Sequence, residues 1–548
     1  MKKTLLTTSI FALFVGSAMA VDFPINEVNK TVSEGTATQQ IISDSSLNIS
    51  TESNITSNTV TTEKDVTDIS GGFAVLSESS NINGLNLTNN SILANKDGTY
   101  YVQQNNKYYT NQNINGGIFL ISGTENITTL NNSKFDNNSI TSRSVGGNID
   151  GALIKTDQAE LNSENLTLTN NKVIKRVAYT NNSTISTVSL NGNSTFKNLI
   201  ATSNLVEVEK PSGGNSNFDN IFGGILSVNS GRTVVSESNL SSNNIIASDS
   251  GKINGGIIAN SSTLELSNSD LNKNTITANS SPSLLGGIVF NQGNATISNS
   301  HFNENIITTK SSFNGGIIAS TAGTLQIDNS NFEANLLTID ATVGQVGGGI
   351  VSVESSTAKI NGGKFANNTV NAGYGIDGSV ANVEKGASLE ISDAEISGNV
   401  ASAGTYKVRG TVHNYNGKLS ISGTTFSDNT IDASTENRAL GGALYARSFD
   451  ASASTTLTDV SFNNNVAKNG MGGAIALEGG SMTINATADL SASGNYATDK
   501  NGIASDARGG FLYLENYDGL YAATATFNVA ENATYTMGNG TANQDSIA

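Results

Sequence analysis

The chain has no cysteine and only two histidines, His301 and His413. No disulfide can staple it, so its fold must rest on packing and backbone hydrogen bonds. Cationic side chains are scarce. The seven arginines (Arg143, Arg176, Arg232, Arg409, Arg438, Arg447, Arg508) are scattered and the net charge is -17. Phosphate binding needs clustered Lys and Arg, which argues against nucleic acid as a partner. Beyond the first twenty residues no apolar run is long enough for a membrane-spanning helix. Stretches of helix formers with 3.6-residue spacing are also missing.

The first twenty residues read as an export signal. Lys2 and Lys3 form the charged start, Leu5 to Val15 the apolar run, and Ala18-Met19-Ala20 a small-x-small cleavage site. The mature chain is expected to begin near Val21. Beyond it Asn, Gly, Ser and Thr abound, a composition that could mean disorder, but regular aliphatic spacing argues for a folded repeat.

That repeat is a motif pair. Six copies read Leu271-x-x-Asn274, Phe302-x-x-Asn305, Phe332-x-x-Asn335, Phe365-x-x-Asn368, Ile396-x-x-Asn399 and Phe426-x-x-Asn429, at steps of 31, 30, 33, 31 and 30 residues. Phe462-x-x-Asn465 continues the series. Gly-Gly pairs followed by aliphatics precede most copies: Gly255-Gly256, Gly286-Gly287, Gly315-Gly316 and Gly348-Gly349. A fixed period of this length marks a solenoid, whose units bury their apolar faces only by stacking.

One unit, Gly255 to Leu285, holds three short apolar stretches: Ile257-Ile258, Leu264-x-Leu266, and Leu271 through Ile276. Bounded by turn residues, with period-two alternation in the second, these read as three strands. An aliphatic five residues before the motif and another two after its Asn hold the register, as in Ile297/Phe302/Asn305/Ile307. The span from Val177 to Glu209 departs most from this rule and leaves its coil unplaced.

The expected fold is all-β, a right-handed parallel β-helix of about 31 residues per coil. About fourteen coils stacked at about 4.8 Å would make a rod of about 65–70 Å. Residues 1–20 are the signal, 21–70 the entry cap and first coils, 71–508 the repeats, and 509–548 an exit coil or cap. The Phe/Leu/Ile column should stack inside. The Asn column should occupy a corner with left-handed backbone and bond coil to coil. The glycine pairs, among them Gly256, Gly287, Gly316 and Gly349, should permit a sharp corner.

The paired tetrapeptides, GG[A/I][I/V/L] and FxxN, resemble the alternating repeats of chlamydial polymorphic outer membrane proteins, over roughly Gly71 to Tyr496. Gly472-Gly473-Ala474-Ile475 with Phe462-x-x-Asn465 is the nearest local match. The resemblance implies an autotransporter: an exported β-helical passenger, displayed by an outer-membrane β-barrel and acting as an adhesin. This chain departs from the family in lacking cysteine. It also reaches Ala548 without the alternating strands of a barrel; the expectation is either that a barrel follows or that the rod is released.

Other motifs have plainer readings. His301 precedes Phe302, in a column with Asp270, Asn331, Lys364, Glu395 and Thr425, and reads as a surface residue. Gly373-x-Gly375-x-Asp377 reads as a turn rather than a calcium repeat. The carboxylate pairs Asp393/Glu395 and Glu207/Glu209 read as alternating exposed strand positions. The Asn-Thr-Asp, Asp-Asp, Gly-His-Gly and Arg-Ile-Lys signatures of polygalacturonase-like β-helices do not occur. No catalytic residue, cofactor or metal ligand is expected.

The glycine face offers a candidate binding surface. The column Ile258, Val289, Ile318, Val351, Val380, Val412, Leu444, Ile475, Leu512 is uniformly aliphatic and reads as inward. One flank would then point out as an isoleucine ridge: Ile257, Ile288, Ile317 and Ile350, followed by Ser379 and Thr411. The other flank runs Ala259, Phe290, Ala319, Ser352, Ala381, His413, Tyr445, Ala476, Tyr513. Ile257, Ile288, Phe290, Ile317, Ile350, Tyr445 and Tyr513 are thus the predicted contact residues. The competing reading reverses the inward assignment or covers the ridge with loops. The expected function is adhesion to host cells, matrix or other bacteria, at the bacterial surface or after release. A polysaccharide-cleaving enzyme and a structural spacer are the alternatives.

Overall fold

The structure is a computed structural model. It describes residues 26–28, 31–34 and 46–548, apart from 51, 63–67, 95–101, 104–105, 108–111, 144–146, 177–183, 210–219, 248–251, 280–283, 340–343, 435–437, 451, 506–507, 519–520 and 539–544. The predicted signal at 1–20 and the mature start at Val21 lie outside those residues.

The described chain is all-β, a parallel β-solenoid with coils roughly 32 residues apart. The coil from Lys252 to Ala278 shows the plan. Strand Lys252–Asn254 belongs to a thirteen-stranded sheet. The glycine corner at Gly255-Gly256 follows. Strands Ile258–Asn260 and Thr263–Ser267 then join the largest sheet, and Thr275–Ala278 joins a fifteen-stranded sheet. Each strand pairs in parallel with its counterpart one coil away; Ile258, for example, sits opposite Val289. The FxxN stretch forms a fourth row, where a six-stranded and a seven-stranded sheet are joined by single bridges through Asn239, Asp270, His301 and Asn331. The three expected strands are thus present, with a further strand ahead of the glycines. The third stretch is divided in two.

The division has a backbone cause. In most coils the residue just before the motif Asn is left-handed: Lys273 (φ 58°), Glu304 (56°), Ala334 (56°), Asn367 (56°) and Asp428 (57°). The motif asparagines themselves do not have positive φ, which corrects the expectation that they do. Their role is in the side chain. Fourteen of them form one buried ladder: Asn58, Asn90, Asn138, Asn171, Asn204, Asn243, Asn274, Asn305, Asn335, Asn368, Asn399, Asn429, Asn465 and Asn495. Asn335 Oδ1 accepts the backbone N–H (2.9 Å) and Nδ2 (3.0 Å) of Asn305. Its Nδ2 donates to Asn368 Oδ1 (2.8 Å) and to the Phe302 carbonyl (2.7 Å). Only a side chain with both donors and acceptor in one plane satisfies itself and both neighbours. A serine ladder lies at the preceding corner: Ser238, Ser269 and Ser300 each donate their backbone N–H to the next coil's hydroxyl at 3.1–3.2 Å.

Inside, Phe302, Phe332 and Phe365 stack at 4.8 and 4.7 Å, and Phe426 on Phe462 at 5.3 Å. All five are buried. The centroid spacing is close to the strand spacing, about 4.7–4.9 Å, so a column of identical rings fits the rise of the coil.

Of the span 177–209, residues 177–183 lie outside the described residues, and 184–209 have a register. Phe196, Ala201, Asn204 and Val206 fill the four motif positions, and alanine at the aromatic position hides the copy. Strands Asn26–Val28 and Thr31–Glu34 pair in parallel with Ser53–Thr56 and Thr59–Thr62. After Gly509, strands Leu512–Glu515, Ala523–Val529 and Tyr535–Met537 still pair with the preceding coil. Asp545 sits where an asparagine would. Its carboxylate accepts the N–H (3.0 Å) and Nδ2 (2.8 Å) of Asn495.

Two local readings change, and a third holds. Gly375–Asp377 is a buried strand, not a turn, because it is one rung of the thirteen-stranded sheet. Asp393 is a left-handed corner residue (φ 53°) and Glu395 begins the next strand, so the two do not alternate on one strand. Glu207 and Glu209 do alternate on Leu205–Glu209.

Candidate functional site

The glycine corner shapes an outer surface that varies chemically from coil to coil. Gly286 has φ +57°, and a Cβ there would lie 1.9 Å from the Val289 carbonyl oxygen. A Cβ on Gly287 would lie 2.4 Å from the Gly316 oxygen and 2.6 Å from Ile307 Cδ1. The first glycine is therefore demanded by backbone conformation and the second by space. Gly255-Gly256 repeats this geometry, and the second glycines Gly316 and Gly349 are closed in by the next coil's carbonyl and by Leu337 or Val370.

The predicted ridge is not exposed. Ile257, Ile288, Ile317 and Ile350 are 0% exposed and belong to the main core. Ile258, Val289, Ile318 and Val351 are buried with them. Alternation is carried by a strand, but the corner turns Ile257 inward and the strand then begins with Ile258 inward as well. The pairing also shifts the proposed columns by one residue at one coil. Ala381, not Val380, pairs with Val351 and Val412, and Asn382, not Ala381, lies between Ser352 and His413.

The other flank does face out of the solenoid. Phe290 packs with Ala259 and Ala319, flanked by Phe222 and Leu285, apart from the main core. Tyr445 packs with Leu440 and Ala476, flanked by Met471 and Tyr513. Phe290 (1%) and Tyr445 (0%) are nonetheless covered, and only Tyr513 is partly exposed. The neighbouring column across the corner comes from the residue just before each corner glycine: Asn115, Asp150, Phe222, Asn254, Leu285, Asn314, Gly347, Asp377, Arg409, Leu440, Met471.

Between the two apolar clusters the groove holds a dense polar network. Arg409 donates to Asp377 (2.8 Å) and to the Tyr406 hydroxyl (3.3 Å), and its guanidinium lies over the rings of Tyr406 and Tyr445. The Tyr445 hydroxyl donates to Glu478, which also receives Lys407 Nζ (3.2 Å) and lies 3.7 Å from Arg447 Nε. Burial alone would raise the Glu478 carboxyl; the Tyr445 hydroxyl with Lys407 and Arg447 outweighs it and holds the group below its ordinary value. Arg447 stacks 3.7 Å from the Tyr517 ring centroid.

His413, 1% exposed, lies in this network rather than at the surface. Its Nδ1 is 2.7 Å from Asn382 Oδ1, its ring stacks on Tyr445 at 5.1 Å, and its Nε2 has no partner. Burial, together with Arg409 and Arg447, pushes its pKa down to about 4. The imidazole is thus neutral, with Nδ1 donating to Asn382. Asn382 Nδ2 continues to Glu384 (2.8 Å), whose carboxyl is raised by burial and by Asp377 and Glu354 nearby. His301, by contrast, is half exposed and bonds Asp270 at 2.9 Å, as a surface residue would.

Asp377, Arg409, Lys407, Arg447, Glu478 and Asn382 were absent from the sequence-based site. Counting back one residue from each corner glycine would have placed Asp377 and Arg409. Nothing in the sequence joins Glu478 to Lys407, 71 residues earlier. Among the described residues no group of three or more His, Cys, Asp or Glu side chains is placed to hold a metal. No family model, curated protein or solved structure matches the chain.

Proposed function

We propose that this chain is the passenger of an autotransporter, a non-enzymatic exported rod that mediates adhesion to host cells, matrix or other bacteria. The observation that carries the reading is the contrast between interior and groove. Every interior column repeats for structural reasons, while the groove at the glycine corner changes from coil to coil as a recognition surface does. The export signal at 1–20 and the paired GG[A/I][I/V/L] and FxxN repeats support the same reading.

The test is to coat beads with the full chain and measure attachment to epithelial cells, to matrix proteins and to bacteria, beside an assay for reducing ends released from polysaccharides. Saturable attachment without release is expected. Released reducing ends would make it an enzyme, and no saturable attachment to any surface would make it a spacer. Amino-terminal sequencing of exported chain should begin at Val21.

A further inference from the structure

One stretch of the groove is hollow. Where the outward column carries Lys155, Phe290, His413 or Tyr445 in other coils, it carries Ser189 and Ser227 here. The small side chains leave a depression of about 440 Å³ bounded by Asp150, Ser186, Asn191, Phe222, Ser227 and Asn229. That lies within the range of small-ligand clefts, about 300–1,000 Å³.

The lining has a definite chemistry. Among the described residues Phe222 is the only aromatic wall. It meets Phe290 edge to face, with centroids 6.0 Å apart and planes at 80°, which holds its ring beside the hollow. The floor is hydroxyl and carboxamide, already ordered: Ser227 donates to Asn229 Oδ1 (2.9 Å), and Asn229 Nδ2 donates to Ser189 (2.9 Å). Asn191 is held by Thr156 at 2.8 and 3.1 Å. The one carboxylate among the described lining residues, Asp150, is neutralised by Lys155 at 2.6 Å, and Lys155 also donates to Asn115 (3.1 Å).

These features narrow the ligand. An anion would find Lys155, the cation described beside Asp150, already engaged, on a chain of net charge -17. A cation would find its carboxylate engaged. A peptide strand would find no free sheet edge, since the neighbouring strands are paired on both sides. What remains is an uncharged molecule with one apolar face and a rim of hydroxyls that both give and accept hydrogen bonds. We infer that the depression binds a neutral pyranose unit of a glycan, stacked on Phe222 and bonded by Ser186, Ser227, Asn191 and Asn229. This names a ligand class for the adhesion reading and rests on that reading for its biological role.

The test is calorimetric titration of the full chain with tetrasaccharides of glucose, galactose, mannose and N-acetylglucosamine. At least one should bind saturably. Phe222→Ala should weaken that binding at least tenfold and Phe222→Trp should keep it. Ser227→Tyr should abolish it by filling the hollow, and it should fold, because the same outward column holds Phe290 and Tyr445 elsewhere. The inference fails if no tetrasaccharide binds, or if binding is unchanged in both Phe222→Ala and Ser227→Tyr. Cell attachment that is undiminished in Ser227→Tyr would overturn the hollow as the ligand site of adhesion and leave adhesion itself standing. Glycan binding by a chain that attaches to no cell would do the reverse.

Discussion

The two corners of each coil solve different problems. At the FxxN corner the side chain at one position is buried in every coil and must bond both neighbours, so asparagine recurs from Asn58 to Asn495. At the glycine corner only the backbone is constrained. The outward residue three places after the second glycine is free to be Ser227, Phe290 or Tyr445, and His413 fills the place in a coil with a single glycine. Invariance therefore marks the corner whose side chains hold the coils together, and variation marks the corner where only the backbone path repeats.

Substitutions should separate the corners sharply. Asn335→Leu orphans two buried donors of Asn305, each worth about 1–3 kcal/mol, so the local loss should reach up to about 6 kcal/mol. Hydrogen exchange should show lost protection spreading over the adjoining coils, whereas Tyr513→Ala in the groove should leave exchange there nearly unchanged. Phe332→Ala removes the centre of a three-ring stack and should destabilise by about 3–5 kcal/mol, read as a lower denaturation midpoint.

Acid should act next, and on the groove rather than the ladder. His413 titrates near 4 in the folded chain and near 6.5 when unfolded. Between those values the unfolded chain binds the extra proton, so this stability is present above about pH 6.5 and is lost as pH falls towards 4. The loss amounts to about 3 kcal/mol at most. Glu478, held below its ordinary 4.5, loses its contribution only at lower pH. His413→Gln should flatten the stability profile between pH 4 and 6.5; a slope that persists unchanged would mean another group carries it. The smallest effect belongs to the exposed Arg232–Glu265 pair, bonded through Nε and one terminal nitrogen. Solvent and salt screen it, so Arg232→Ala should leave the midpoint where it was.

The repeat was legible wherever burial imposed one residue type. Phe302 to Phe365, the glycine pairs and the motif asparagines all occupy their expected places. The coil at Ala201 and Asn204 was not, because alanine fills an inward aromatic position without breaking the backbone path. The isoleucine ridge was misread because period two was carried across a corner, where the backbone turns about the core and consecutive side chains both face inward. His413 was rightly placed on the outer side of its strand, yet no sequence rule shows that Arg409, Lys407 and Glu478 converge with it.

Composition, period and spacing alone determined that this chain is a parallel solenoid, what stacks inside it and where its glycines must stand, because each of those features repeats with the coil. Tertiary structure alone decided which side chains meet in the groove. Its members come from different coils, brought together by a stacking distance of about 4.8 Å that separates residues some thirty positions apart in the chain. Burial, charge pairing and the hollow at Ser227 arise only once those coils are laid side by side.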